Sequence, residues 1–190
     1  MDQHWSLKLL SGSAQEPLTL ARVKTQVRLD QDWTVEDEFL NGEIAAARTR
    51  FERVTGRQLL LATYLLSLDH WPCDGEINPR RTPLREVVSI EYVASDGTLT
   101  TLASNQYEAD THSEPGRITP AYGVWWPATR CITRAVRVTY RAGHDTLAEI
   151  PDLAEVQSRL LACIAYCYRN REQRDEDWLD SLFASLWNGV

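Results

Sequence analysis

The sequence lacks the features that mark several specialised classes of protein. Its four cysteines include no Cys-x-x-Cys pair, and no apolar run approaches the roughly 20 residues that a membrane-spanning helix needs. Basic residues are in the minority, since 20 Lys and Arg stand against 27 Asp and Glu, for a net charge of −7. A protein that grips nucleic acid by neutralising phosphates usually has the opposite balance. The sequence therefore disfavours a membrane-spanning protein, a protein that needs a bound metal to fold and a protein that binds DNA strongly.

Signals for export and for disulfide formation are also missing. Residues 1–10 show no basic segment followed by a long apolar run and a cleavage site, so we expect no secretion. We interpret the cysteines as reduced thiols of a protein made in the cytoplasm, in preference to a disulfide or metal role. They are Cys73, Cys131, Cys163 and Cys167.

The remaining composition is that of an ordinary globular protein. Hydrophobic residues make up 43% of the 190-residue chain and charged residues 25%. This length is enough to bury a sizeable core, so residues 1–190 are predicted to form a single domain.

Helical periodicity dominates residues 17–56. A first helix is predicted after Thr19 as N-cap, with Val23 inward and Lys24 outward. A second is predicted to begin at a capping box formed by Thr34 and Asp37, and to end at Gly56. Its apolar positions step by three and four: Leu40, Ile44, Ala47, Phe51 and Val54.

The period changes to two in residues 57–149. Strands are predicted at 63–68, 87–94 and 135–140, and Asp96-Gly97 between two apolar runs predicts a hairpin. Helical spacing returns in residues 150–190, first from Leu153 to about Arg169 and then around Trp178 to Trp187. We therefore predict an α+β fold, in which about four helices, from 17–56 and 150–190, form a core interrupted by an antiparallel β-rich insertion at 57–149.

No residue pattern indicates catalysis, a cofactor or a metal. The four histidines lie apart from one another, and no Gly-rich phosphate loop or nucleophile elbow is present. Cys163 and Cys167 share a helical face with apolar neighbours, which is typical of core packing. His144-Asp145 resembles a site most closely, and an unidentified hydrolase activity based on it is one hypothesis. We expect no enzyme, no cofactor and no metal.

Arginines cluster at Arg48, Arg50 and Arg53, and again at Arg169, Arg171 and Arg174, with acidic residues interleaved. The interleaving favours a solvated or ion-paired face. A small DNA-packaging or DNA-binding accessory protein that uses Arg48, Arg50 and Arg53 is the alternative function.

The C-terminal segment is rich in large apolar side chains and begins with an acidic turn. Docking into a partner protein and burial on its own domain are both open. The candidate partner-binding residues are Trp178, Leu179, Leu182, Phe183, Leu186 and Trp187.

Taken in order, the segments resemble the head–tail connector, or adaptor, proteins of long-tailed bacteriophages and gene-transfer particles. The resemblance spans about Glu16 to Glu172. It rests on Glu16-Pro17-Leu18-Thr19-Leu20 with Lys24 and Leu29, Ile44-Ala45-Ala46-Ala47-Arg48 and Glu52, Thr55-Gly56-Arg57-Gln58-Leu59, Pro83-Leu84-Arg85-Glu86-Val87, Tyr92, Asp96-Gly97, Tyr107, Val136 to Gly143, Ile150-Pro151 and Tyr168-Arg169-Asn170-Arg171-Glu172.

The resemblance implies a structural virion protein of the neck, assembled as a ring that is commonly dodecameric. It implies a portal protein as the partner above and a tail terminator or stopper below. Genome DNA would pass through the channel without sequence-specific binding, and no membrane would be involved.

Deletion of the residues after Asp175 is predicted from the sequence to leave the fold intact and to abolish portal binding. A pull-down on the portal measures this, and unchanged attachment would contradict docking through the C-terminal segment.

Overall fold

The computed structural model describes residues 4–184 and 186 and divides into two compact units. The sheet unit lies within residues 1–13 and 60–145, and the helical unit lies within residues 14–59 and 146–190. The predicted α+β class is confirmed, whereas the single domain over 1–190 stays a prediction. None of the helices in the described ranges is long and apolar enough to cross a membrane.

Within the residues that the structure describes, the two units contain four α-helices and seven strands. In chain order they are β1 (Trp5–Ser11), α1 (Leu20–Val27), α2 (Asp37–Thr55), β2 (Ala62–Leu68), β3 (Leu84–Val93), β4 (Leu99–Thr101), β5 (Tyr107–Asp110), β6 (Arg117–Pro120), β7 (Val136–Ala142), α3 (Leu153–Arg169) and α4 (Glu176–Ala184).

The helical unit forms because four amphipathic helices bury their apolar stripes against one another. The predicted inward positions of α2 are confirmed: Leu40, Ile44, Ala47 and Phe51 are buried, with Val54 packed at the margin. They meet Val156, Leu160 and Ile164 of α3 in one core. Gly56 ends α2 in the left-handed region with φ 69°, as predicted.

The two predicted N-caps differ in outcome. The Thr19 hydroxyl accepts the Arg22 N–H at 3.3 Å, which confirms the cap of α1. The capping box at Thr34 is wrong, because α2 begins at Asp37 and follows Glu36 without a side-chain cap. Only the Thr34 carbonyl is used, and it accepts the Asp37 N–H at 3.2 Å.

Lys24 is buried, which corrects the prediction that it faces outward. Its Nζ lies 2.7 Å from an Asp37 carboxylate oxygen and donates to the Gln31 carbonyl at 3.0 Å. The ammonium thus exchanges water for two protein oxygens, and the carboxylate that was expected to cap α2 ties α2 to α1 instead. A helical period gives the direction of a side chain, but a long polar side chain can reach a buried partner on any side.

In the sheet unit, five antiparallel strands follow the order β1-β2-β7-β3-β4. Central strand β7 buries Val136, Val138 and Tyr140 completely, as its alternation predicted. The Asp96-Gly97 hairpin is also confirmed, because Ala94 and Thr98 close it with a backbone hydrogen bond of 2.8 Å between β3 and β4. The pair β5-β6 forms a second sheet.

Strand β1 was not predicted. Trp5, Leu7 and Leu9 alternate with polar residues, so the period-two signal is present, but it falls in an N-terminal segment for which we predicted no element. The strand pairs with β2 at one edge of the five-stranded sheet, with Trp5 opposite Leu68. Much of its surface is exposed, and no strand of the described residues pairs with its outer edge.

The buried ion pair gives a stability prediction. Lys24→Met leaves Asp37 without its cation, and we expect a loss of about 2 kcal/mol, below the full effect for a buried pair because Asp37 is partly exposed. Urea unfolding followed by circular dichroism measures the loss. Lys8→Met, at an exposed position of β1, serves as the matched control and should change the free energy of unfolding by less than about 0.5 kcal/mol. Equal effects of the two variants would contradict a structural role for Lys24.

Candidate partner-binding surface

The C-terminal segment predicted to bind a partner folds back onto the helical unit. Asp175 caps α4, since its carboxylate accepts the Trp178 N–H at 2.9 Å, and its own N–H donates to the Tyr166 hydroxyl at 3.2 Å. The Trp178 ring lies 4.4 Å from the Tyr166 ring and is 40% exposed. Trp178 therefore keeps a substantial free surface.

Leu179 and Phe183 face the opposite way and are fully buried. The Phe183 ring meets Phe51 of α2 edge to face, with centroids 5.6 Å apart. Leu182 and Leu186 pack at the margin of the same core. Trp187 lies outside the described residues. Partner binding by all six residues stays a prediction, but Leu179 and Phe183 already fill a core in this structure.

This burial changes the outcome expected from deleting the C-terminal segment. Removal of the residues after Asp175 takes two fully buried side chains out of the helical core, and each such loss costs about 2–5 kcal/mol. An intact fold after that deletion is therefore not expected. The docking hypothesis requires variants at exposed positions instead.

The acidic start of α4 is occupied by arginines of the same unit. Arg50 contacts both Glu176 and Asp180, the latter at 2.6 Å, and Arg53 lies 2.7 Å from Asp180. Burial disfavours the charged form of Asp180, but hydrogen bonds from Arg53 and Arg50 outweigh this and hold the pKa of the carboxyl below its usual value. The charge that could meet a basic partner is thus largely matched within the chain.

Other arginines of the two predicted basic clusters are paired as well. Arg48 donates to Glu16 at 2.8 Å and also contacts Glu52. In the second cluster, Arg171 lies 2.9 Å from Glu36 and Arg174 lies 2.7 Å from Glu43. Because five of these six guanidinium groups, all but that of Arg169, have a carboxylate partner, the two clusters offer little unneutralised positive charge to a phosphate backbone.

The reactive side chains considered in the sequence do not converge. Cys163 and Cys167 are buried together in the helical core, and their mutual hydrogen bond together with burial raises the pKa of the Cys163 thiol. Asp145 pairs with Arg85, and the His144 carbonyl accepts the Leu61 N–H at 2.9 Å. Within residues 4–184 and 186, no group of three or more His, Cys, Asp or Glu side chains could hold a metal ion.

A surface that the sequence analysis missed lies in the sheet unit, between β6 and β7. We call residues 122–125, Tyr-Gly-Val-Trp, the aromatic loop. Tyr122 is fully exposed, Trp125 is 89% exposed, and Val124 is also exposed. Large apolar side chains that leave this much surface in water are typical of interaction sites.

Two stacked and hydrogen-bonded tryptophans, Trp71 and Trp126, form the base of the aromatic loop. Trp126 stacks on Trp71 with ring centroids 4.5 Å apart and planes 4° from parallel. Both indoles are also hydrogen-bonded, Trp126 Nε1 to the Gly75 carbonyl at 2.9 Å and Trp71 Nε1 to the Pro127 carbonyl at 2.8 Å. Gly123 makes the turn at the tip with φ 76°. The sequence signal was the adjacent pair Trp125-Trp126, which has no period and so escaped a search for helices and strands.

Comparison with known proteins gives matches among solved structures alone. No family model matches the chain, and no curated protein matches it. A chain in the neck of an empty gene transfer agent particle, computed with C6 symmetry, is 18% identical with a TM-score of 0.76, covering 97% of this chain and 96% of the other.

Two further structures agree with that match. A chain of the native gene transfer agent virion has a TM-score of 0.75 at 18% identity, covering 97% of this chain and 95% of the other. A chain of the native neck, computed with C12 symmetry, has a TM-score of 0.64 at 19% identity and 96% coverage of both chains. Each of these matches therefore includes both the sheet unit and the helical unit of this protein.

The ion pairs of α4 predict a specific pH dependence. The folded-state pKa of Asp180 is lowered, so its contribution to stability is present above the unfolded value of about 3.9 and is lost as the pH falls through the folded value. We expect Asp180→Asn to be less stable than wild type at pH 7 and to lose less stability between pH 5 and pH 2. Urea unfolding across that range measures both. Asp177→Asn, on the same helix at an exposed position, should follow the wild-type curve; matching curves for Asp180→Asn and wild type would contradict the pairing.

Proposed function

We propose that this protein is a structural subunit of the neck of a tailed phage or phage-like particle, a ring-forming connector between the portal and the tail side. The observation that carries the proposal is the agreement of fold over 97% of the chain with a chain of a gene transfer agent neck. Because the agreement covers nearly the whole of both chains, it extends over both the helical unit and the sheet unit. The resemblance read from the sequence supports the same role independently.

In this role the chain assembles as a cyclic ring around the path of the DNA. The C6 and C12 symmetries of the neck structures support a ring, and the dodecamer is the form that the sequence resemblance implies. The portal and a tail terminator or stopper are its proposed protein partners. The role is structural, with no catalytic step.

The internal pairing of the arginines suits a protein that surrounds DNA without holding it. Arg48, Arg50 and Arg53 are engaged by Glu16, Glu52, Glu176 and Asp180. Phosphate binding would first have to break these ion pairs, which disfavours the alternative of a DNA-binding accessory protein. Duplex binding that falls steeply with salt would support that alternative.

The protein should form a ring on the portal axis when mixed with the portal of its own particle. Electron microscopy of the mixture tests this directly. A ring coaxial with the portal is the expected result. A chain that neither binds the portal nor occurs in the neck of purified particles would contradict the proposed function.

Portal docking through the C-terminal segment is tested by Trp178→Ser. Its indole is 40% exposed and contacts Tyr166 alone among aromatic rings of the described residues, so we expect the fold to persist. Portal affinity should fall by about tenfold or more if this side chain is an anchor. Trp33→Ser is the matched control, since Trp33 is a 50% exposed tryptophan of the same unit. Equal portal binding by the two variants would contradict docking at Trp178.

A further inference from the structure

We propose that the ring is closed by the aromatic loop of one copy docking on edge strand β1 of the next copy. The proposal rests on the proposed ring-forming function and assigns the two surfaces that such a ring requires. Each ring contact of a cyclic assembly larger than a dimer joins two different patches of the same chain. The sheet unit presents two such patches, one protruding and one open along a strand edge.

The protruding patch is the aromatic loop. Tyr122 and Trp125 present two large rings to water, while the Trp71–Trp126 stack holds the loop beneath them. Tryptophan and tyrosine are the residue types that most often dominate the binding energy of an interface. Because the base is rigid, little conformational entropy remains to be lost when the tip is buried.

The receiving patch is β1. Its partners across the sheet place Trp5, Leu7 and Leu9 opposite Leu68, Leu66 and Tyr64. Cross-strand partners lie on the same face of a sheet, so these three side chains extend the apolar face of the sheet core to its edge. Trp5 and Leu9 remain 47% and 54% exposed there.

Beyond its side chains, β1 offers a backbone edge. It pairs with β2 on one side, and no described residue forms a strand on the other. Natural proteins usually protect such an edge, and an exposed apolar edge is a common place for another chain to bind.

The two patches are formed by different segments of the sheet unit, the aromatic loop by residues 122–125 and the edge by β1. Trp71, at the base of the aromatic loop, follows β2 by three residues, and Leu68 at the end of β2 pairs with Trp5. In a ring of identical copies, each copy would contact one neighbour through its aromatic loop and the other through β1.

Charge complementarity identifies the occupant of β1 as a second copy. Exposed Asp74 precedes Gly75, which anchors Trp126, whereas Glu76 on the other side of Gly75 already lies 3.8 Å from Arg117. At the edge strand, the Arg80 guanidinium lies 4.7 Å from the centre of the Trp5 ring. A carboxylate at the base of the aromatic loop and a guanidinium on the apolar edge favour the head-to-tail contact over contact between two like patches.

The test uses one variant on each patch of the full chain. Tyr122→Ser combined with Trp125→Ser removes the aromatic tip, and Leu9→Glu places a charge on the edge. Each should weaken self-association by on the order of tenfold or more, measured by analytical ultracentrifugation and by counting portal-bound rings in electron micrographs. Trp33→Ser, in the helical unit, is the control and should assemble as wild type does. Circular dichroism and urea unfolding verify that each variant is folded.

Mixing the two variants provides the decisive measurement. The aromatic loop of the Leu9→Glu copy and the β1 edge of the Tyr122→Ser/Trp125→Ser copy are both wild type, so one contact can form and the opposite ends are blocked. We expect mixed dimers and no rings. A wild-type chain that never self-associates, on or off the portal, overturns the proposal, as do variants that form normal rings.

The failure of this inference is distinguishable from the failure of the proposed function. Normal portal-bound rings of either variant leave the connector function standing and refute the assigned contact. Normal self-association combined with lost binding to the portal or to a tail-side protein assigns the aromatic loop to that partner instead and also refutes the proposal. Absence of the wild-type chain from the neck refutes the function itself.

Discussion

The edge-to-face contact of Phe51 with Phe183 closes the helical unit, and the rest of the organisation follows from it. Phe51 belongs to α2, near the start of the chain, and Phe183 belongs to α4, near its end. An isolated helix as short as α4, with nine residues, is marginal in water, so it must bury its apolar stripe against the other helices. The core of the helical unit is built from two stretches of sequence, one ending with α2 and one beginning with α3. Strands β2 to β7 are therefore formed by the residues inserted between these two helices.

A second consequence concerns charge. The same folding back of α4 brings Glu176 and Asp180 to Arg50 and Arg53, while Arg171 and Arg174 reach Glu36 and Glu43. Exposed ion pairs of this kind contribute little to stability individually. Their larger effect is on the surface, where they neutralise most of the positive charge of the two arginine clusters.

Exposed apolar surface is distributed differently on α4 and on the sheet unit. In the helical unit the large apolar side chains of α4 are mostly absorbed by the core, leaving Trp178 as the largest exposed ring of that helix. In the sheet unit, by contrast, four large apolar side chains remain exposed to water: Tyr122, Trp125, Trp5 and Leu9. The Trp71–Trp126 stack holds the loop that carries the first two. Apolar side chains held rigidly in an exposed position keep most of their burial energy for a partner.

Local structure could be predicted from the amino-acid pattern: the α+β class, the helix stripes through Leu40 and Phe51, the stop at Gly56, the hairpin at Asp96-Gly97 and the alternation of β7. These features follow from periodicity and from single-residue backbone preferences, which depend on near neighbours along the chain. Tertiary structure alone decided that Lys24 is buried against Asp37, that Leu179 and Phe183 belong to a core, and that Trp5 and Trp125 do not. An amphipathic pattern states that a face must be covered, but whether another part of the chain covers it depends on contacts between residues far apart in sequence.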